Sequence, residues 1–343
     1  MRRAFLAVIV LALAFMGAGC PCVRSAVNAS PELRWWLFSN FGASKICPEM
    51  LKRGVPLKLA ALGLGNASVG RFFPNQCNVT VDDARQSITM SASGTGYVTL
   101  PLTRRVGFYV GMSVEYLPDF RLESDDVMYV WGKFSRFVAQ PDLRIVGVEN
   151  PVVNLATRTP AGDVATVIGN GLVASEIGRG FTVVRQPDGD DFTLGHLEPP
   201  QKPERQFKSG SKHVVLGSDL TAVYAQSRDY LGPFEITDNN AALFVRAKVD
   251  GLPVVYSVVD RSVGEAWRRA YEGAQAMAPA PGALLAQGTL AVGEASLRFP
   301  LPPGTYYVVV ENQAAAPFAP LGLPLPGPEA ISYVSYSVEI GDR

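Results

Sequence analysis

Few residues in this 343-residue chain have side chains suited to chemistry, and those few are scattered. The two histidines, His196 and His213, lack the H-x-x-x-H or C-x-x-C surroundings that a zinc site needs. Either could act as a general base only if the fold carried a nucleophile to it; a hydrogen-bonded surface histidine is the commoner role. Ser209-Gly210-Ser211-Lys212 has the S-x-x-K spacing that lends a serine a lysine as base. Lys208-Ser209-Gly210 overlaps it on the same serine, however, and both lie beside a Pro-rich stretch, so the match is read as coincidence. Asp188, Asp190 and Asp191 bring hard oxygen atoms to a turn, but without the alternating order of a calcium loop, and are read as a solvated turn. Gly63-Leu64-Gly65 begins like a dinucleotide loop, yet Ser68 stands where the third glycine belongs and no βαβ alternation follows. The expectation is a protein with no catalytic residues, no metal and no cofactor.

The cysteines say more. Arg2 and Arg3 precede an apolar run from Ala4 to Ala18, and Gly17-Ala18-Gly19 leads directly into Cys20. A positive start, an apolar stretch of this size and a small-residue end make a secretory signal. The run is shorter than the roughly 20 residues of a spanning helix. Small residues ending at a cysteine resemble the lipobox of bacterial lipoproteins. That resemblance implies that Cys20 becomes the lipidated first residue of the mature protein, held on the membrane by its acyl chains. Gly17 departs from the pattern, which usually has Leu three residues before the cysteine. Cleavage after Ala29, within Val27-Asn28-Ala29, is the alternative, and Arg2-Arg3-Ala4-Phe5-Leu6 partly resembles a twin-arginine signal. Each of these places the mature chain outside the cytosol: in the bacterial cell envelope, at the outer membrane or periplasmic face, or secreted. An oxidising compartment permits a disulfide, for which Cys47 and Cys77 are favoured while Cys22 stays open as a partner. With 31 basic and 31 acidic residues the chain lacks the field of a nucleic-acid binder. The expected partners are the membrane and a lipid or envelope protein.

At 48% hydrophobic and 10% aromatic residues, the chain has material for a core in each of two domains. Residues 1–19 are the signal, and 20–50 a tether and amphipathic segment with Trp35, Trp36, Leu37, Phe38 and Phe41. Residues 51–197 are expected as an α+β domain of long antiparallel strands with one or two helices. Residues 198–213 are a Pro-rich linker, and 214–343 a β-sandwich with one short helix. Period-two alternation from Val106 to Tyr116 marks the clearest strand, while Val127–Trp131 and Leu143–Val148 read as two further strands. Asp163 to Gly178 has helical spacing, and Ser262 with Glu265 reads as a capping box. The stretch FPLPPGTYYVVVEN, from Phe299 to Asn312, resembles a strand of jelly-roll-like modules and bears on fold alone. The fold class is therefore mainly β.

Phe108, Val110, Met112 and Val114 form an apolar row that needs a cover. Long alternating strands with an apolar helix are similar to the bacterial relatives of tubular lipid-binding domains, which implies an amphiphile in a groove over this row. The functional expectation is a non-enzymatic, lipid-anchored envelope protein. The alternatives are an extracellular hydrolase using dispersed carboxylates or His196, and a carbohydrate- or protein-binding sandwich with a structural role.

Overall fold

The computed structural model describes residues 21–58, 65–100, 104–124, 126–149, 177–314 and 331–343. The signal, Cys20, most of the expected helix over 163–178 and the Pro-rich excursion 317–328 lie outside them. The described residues are mainly β, with antiparallel sheets and few helices.

Seven strands form one antiparallel sheet in chain order: β1 (Val55–Pro56), β2 (Gly70–Asp82), β3 (Ser87–Leu100), β4 (Arg104–Leu122), β5 (Met128–Val148), β6 (Phe181–Arg185) and β7 (Asp191–Leu194). The alternation seen over 106–116 is the middle of the 19-residue β4. The two strands expected over 127–131 and 143–148 are one, the 21-residue β5. Their apparent separation has a physical cause. Among the described residues β6 pairs with β5 only from Met128 to Gly132, and β5 beyond that pairs with β4 alone, so polar residues are tolerated from Lys133 to Asp142. Register shifts between Gly107 and Tyr116 further blur the period-two signal.

One face of this sheet is covered by the amino-terminal segment, which is a docked helical layer. It consists of α1 (Pro21–Ala29), α2 (Pro31–Leu37), a π-helical turn (Phe38–Gly42) and α3 (Ala43–Leu51). Ser30 starts α2: its Oγ accepts from Leu33 N at 3.3 Å, and Pro31 follows at the first helical position, where a missing N–H costs nothing. Residues joining α2, the turn and α3 stay in the right-handed helical region, so 31–51 is one rod of about 30 Å. Phe38, Ala43, Ile46 and Met50 face inward, and the Cys47–Cys77 disulfide ties α3 to β2.

The carboxy-terminal strands are β8 (Val214–Tyr224), β9 (Ser227–Ile236), β10 (Ala241–Asp250), β11 (Val254–Asp260), β12 (Ala286–Leu290), β13 (Gly293–Phe299), β14 (Gly304–Asn312) and β15 (Ile331–Asp342). They form two four-stranded antiparallel sheets, ordered β13-β10-β15-β8 and β12-β11-β14-β9, around a shared apolar core. The helix α4 (Arg261–Glu272) follows β11. Its cap is Asp260, whose Oδ1 accepts from Val263 N at 2.9 Å; Ser262, the expected cap, instead donates to Asp260. Aspartate one residue outside the helix is the better N-cap, because it also answers the helix dipole.

Sheet and sandwich meet over a buried polar and aromatic interface. Arg71 on β2 makes a two-pronged bond with Asp229 on β9, through Nε to Oδ1 at 3.1 Å and Nη2 to Oδ2 at 2.7 Å. Tyr97 on β3 donates to Asp229 Oδ1 at 2.5 Å and accepts from Tyr230 N, and Arg71 also donates to the Tyr336 hydroxyl. Around this pair α4 wedges between the two bodies. Arg105 lies 4.0 Å over the Tyr271 ring, Arg268 4.1 Å over Phe73 and Arg228 4.4 Å over Trp267. Gly107 is what lets α4 close in: a Cβ there would overlap the carbonyl oxygen of Glu272.

Burial by itself pushes the Asp229 carboxyl up, but the Arg71 charge and the bonds from Arg71 and Tyr97 override it and hold the group below its ordinary range. A depressed carboxyl contributes stability above its unfolded value, and that contribution is lost as pH falls through the folded one. Arg71→Met, which leaves Asp229 buried without its partner, is expected to cost about 3–5 kcal/mol in urea unfolding at neutral pH. The loss should shrink below about pH 4, where the unfolded carboxyl takes up its proton. An equal cost at all pH values would show that the charge pairing is not what the substitution removes.

Candidate functional site

The row Phe108, Val110, Met112 and Val114 is buried along β4. Its cross-strand partners on β3 are Gly96, Gly94, Ala92 and Met90, and the first three are small enough to leave room for the larger side chains opposite. A Cβ on Gly96 would stand 2.7 Å from Phe108 Cζ. The same core contains Val27, Phe38, Ala43, Ile46 and Met50 of the helical layer. The row is thus the floor of a core closed by that layer, where the sequence suggested an open groove.

The layer is fixed at both ends. At the start, Asn28 behaves like an added strand residue: Nδ2 donates to Leu122 O at 2.8 Å and Oδ1 accepts from Leu122 N at 3.0 Å. Arg24 donates to Glu123 O, and Arg34 pairs with Asp119 at 2.9 Å. At the other end, Cys47 and Cys77 are joined with their Cα atoms 5.4 Å apart. Cys20 itself lies outside the described residues, and α1 begins at the next residue.

The residues screened for catalysis form fastenings. Arg205 closes the acidic turn expected to be solvated, reaching Asp188 Oδ2 at 2.7 Å, Asp191 Oδ2 at 2.9 Å and Gly189 O at 2.8 Å. Ser209 donates to the same Asp188 at 2.7 Å. Burial pushes both carboxyls up. For Asp188 the bonds from Ser209 and Arg205 outweigh it and bring the group below its ordinary range, whereas Asp191, more deeply placed, stays above. A guanidinium therefore does here what a cation would do in a calcium loop. Among the described residues no group of three or more His, Cys, Asp or Glu could hold a metal.

His213 comes nearest to a catalytic arrangement. Its Nδ1 lies 2.9 Å from Glu339 Oε2, and its ring stacks on Phe244 at 4.3 Å. A carboxylate in this position can orient an imidazole as a base. Glu339 is fully committed, however: it also accepts from Gly210 N, Arg246 and Ser337. The hydroxyl of Ser209, close by in sequence, goes to Asp188. The pair therefore pins residues 198–213 to β15. The same segment also takes a bond from Tyr129 to Pro200 O and gives one from Gln206 N to Ser218, so it is held by the sheet on one side and the sandwich on the other.

His196 pairs with Glu198 at 3.0 Å, and its ring lies 6.0 Å from Trp131. Beside it is an open depression of about 380 Å³ whose walls include Asp119, Arg121, Trp131, Lys133 and Glu198. Lys133 is paired with Glu198 at 3.2 Å and Asp119 with Arg34, so the charges here are already engaged by protein partners.

Sequence reasoning missed Arg71, Asp229 and Arg205. Arg71 carried a signal, since it stands in Gly70-Arg71-Phe72-Phe73 and a charge inside an apolar strand start needs a buried partner. Nothing local pointed to which partner. Comparison of the chain with known families and with curated proteins returns no match.

Two substitutions test this description. Met112→Trp should lower stability by about 1–3 kcal/mol, as overpacking does in a filled core. An unchanged urea midpoint would reveal spare volume above the row. Replacing Cys47 and Cys77 together by serine should cost roughly 3–4 kcal/mol, given the sequence separation of 30 residues. Hydrogen exchange should then rise first in α3; uniform exchange throughout the sheet would contradict the clamp.

Proposed function

We propose that this chain is an exported, lipid-anchored, non-enzymatic protein of the cell envelope, which holds a rigid two-part β body close against the membrane. The observation that carries this reading is the fastening of α1 to the sheet through Arg24 and Asn28, four and eight residues after Cys20 in the sequence. Acyl chains on Cys20 would thus be only a few residues from the first bond to the folded body. The body would then lie flush with the bilayer instead of hanging from a flexible leash. The Cys47–Cys77 disulfide supports export, because such bonds persist in oxidising compartments. No helix among the described residues is long and apolar enough to cross a membrane.

The commitment of Ser209, Asp188 and Glu339 to structural bonds supports a non-enzymatic role. With the row on β4 filled by protein, contact with amphiphiles moves in this reading from beneath the helical layer to its outer side.

Cys20→Ser is expected to shift the protein from the detergent-rich to the aqueous phase on temperature-induced detergent partitioning. Each buried methylene contributes about 0.8 kcal/mol to anchoring, so the loss of acyl chains should be complete in this assay. Unchanged partitioning of the serine variant would remove the lipid anchor from the proposal.

A further inference from the structure

We propose that β13 is a self-association edge, at which two copies of this chain join their sandwiches into one continuous sheet across a two-fold axis. Of the two sides of the sandwich, one is already taken by the first body of the molecule. There Val215 N on β8 donates to Asp188 O at 2.7 Å, Ser68 bridges to Thr221, and Gly54 N donates to Gly232 O on β9 at 2.8 Å. The other side ends in β12 and β13, and among the described residues neither has a second strand neighbour. An unpaired edge leaves alternate N–H and C=O groups of the backbone open to a further strand.

Edges of this kind are commonly protected, by short length, charge, proline or a bulge. β12 is only five residues long with Gly288 at its centre, and the outer half of β5 carries Lys133, Arg136 and Pro141 and shifts register against β4. β13 has none of these devices. Its seven residues, Gly293–Phe299, keep unbroken register with β10, contain no proline, and turn Ala295, Leu297 and Phe299 toward the core. Glu294, Ser296 and Arg298 stand exposed on the outer face. Arg298 lies 5.9 Å over the Phe244 ring, and Lys248, opposite Glu294 on β10, is paired with Asp250 at 3.1 Å. Neither Glu294 nor Arg298 has an ion-pair partner among the described residues.

Charge complementarity selects a second copy as the occupant and fixes its register. Antiparallel pairing about Ser296 sets Glu294 opposite Arg298 of the second copy, and Arg298 opposite its Glu294, both on the exposed face. The same register sets Ala295 against Leu297, so the two apolar interiors continue into one another. Moving the axis to Ala295 or Leu297 dissolves both charge pairs, and moving it to Glu294 or Arg298 sets like charges face to face. Placing it between two residues sets core-facing positions against exposed ones. Two residues beyond each charge pair, the chosen axis brings Val292, 56% exposed at the β12–β13 turn, toward the exposed Pro300 of the second copy. The strand is thus complementary to itself, as a two-fold interface requires.

The test uses residues 20–343 with Cys20→Ser, which keep every described residue and have no acyl chain to drive association. Sedimentation velocity should show a reversible monomer–dimer equilibrium, weak because a single strand edge is a small interface. Glu294→Arg or Arg298→Glu, each of which makes both cross-strand pairs repulsive, should weaken the dimer about tenfold. The double variant should regain the parent association. So should an equal mixture of the two single variants, in which every cross-strand pair is again opposite in sign. Both single variants should keep the parent thermal midpoint in dilute solution, since the replaced side chains are exposed. A chain that stays monomeric at all concentrations overturns the inference, as does a dimer that Glu294→Arg leaves intact. If either the double variant or the mixture fails to recover, the two-fold register is wrong and the proposal falls with it.

Discussion

A sheet of strands this long has one face that must be kept from water, and most of the molecule follows from that requirement. β4 and β5, at 19 and 21 residues, are too long for a neighbouring loop to hide. The cover is the amino-terminal rod, which buries Phe38, Ile46 and Met50 in one core with Phe108, Val110 and Val114. Once a helix is used as a lid it needs fixing, because a short amphipathic helix is marginal alone. The disulfide to β2 fixes one end, and Asn28 on the backbone of Leu122 fixes the other. Cover and clamp together explain why a segment so close to the amino-terminal apolar run has the packing of a core.

The opposite side of the sheet is managed differently. There the sandwich and α4 supply the contact, and the contact is made of arginines on aromatic rings around a paired Arg71 and Asp229. An apolar seam would tolerate sliding. A two-pronged guanidinium–carboxylate bond with a tyrosine on the same oxygen does not, since each partner has fixed directions. Glycine at 107 records the same constraint from the sheet side, as the only residue that leaves room for the end of α4.

The part of this architecture legible in the sequence was the part written in short-range periodicity. Period two over Val106–Tyr116 revealed β4, and turn residues with β-branched runs revealed the sandwich. The helical layer was half legible: its aromatics marked an amphipathic segment, but nothing local says which distant face a helix will cover. β5 was cut in two because, among the described residues, its outer half pairs on one side only and so carries polar residues that a central strand would exclude. Ser262 and Glu265 matched a capping pattern, yet Asp260 was the better acceptor. Of the candidate site, the cysteine pair was within reach of compartment and count. The seam between sheet and sandwich was not, because its members are far apart in the chain.

That separation bears on how the chain is made. Arg71 and Asp229 are 158 residues apart, while the sheet that contains Arg71 is a meander whose strands join their immediate neighbours. Contacts of the second kind close early and contacts of the first kind late, since loop closure must precede the reward. A nascent chain emerging amino terminus first would hence assemble rod and sheet while Arg71 still holds its hydration shell. The sandwich face of the sheet would stay wet and unfinished until β9 emerged. For an interval set by the speed of chain emergence, the protein would exist as a half-built surface, with a row of aromatic rings awaiting their arginines. That interval, more than the finished fold, is when such a chain would need a holdase.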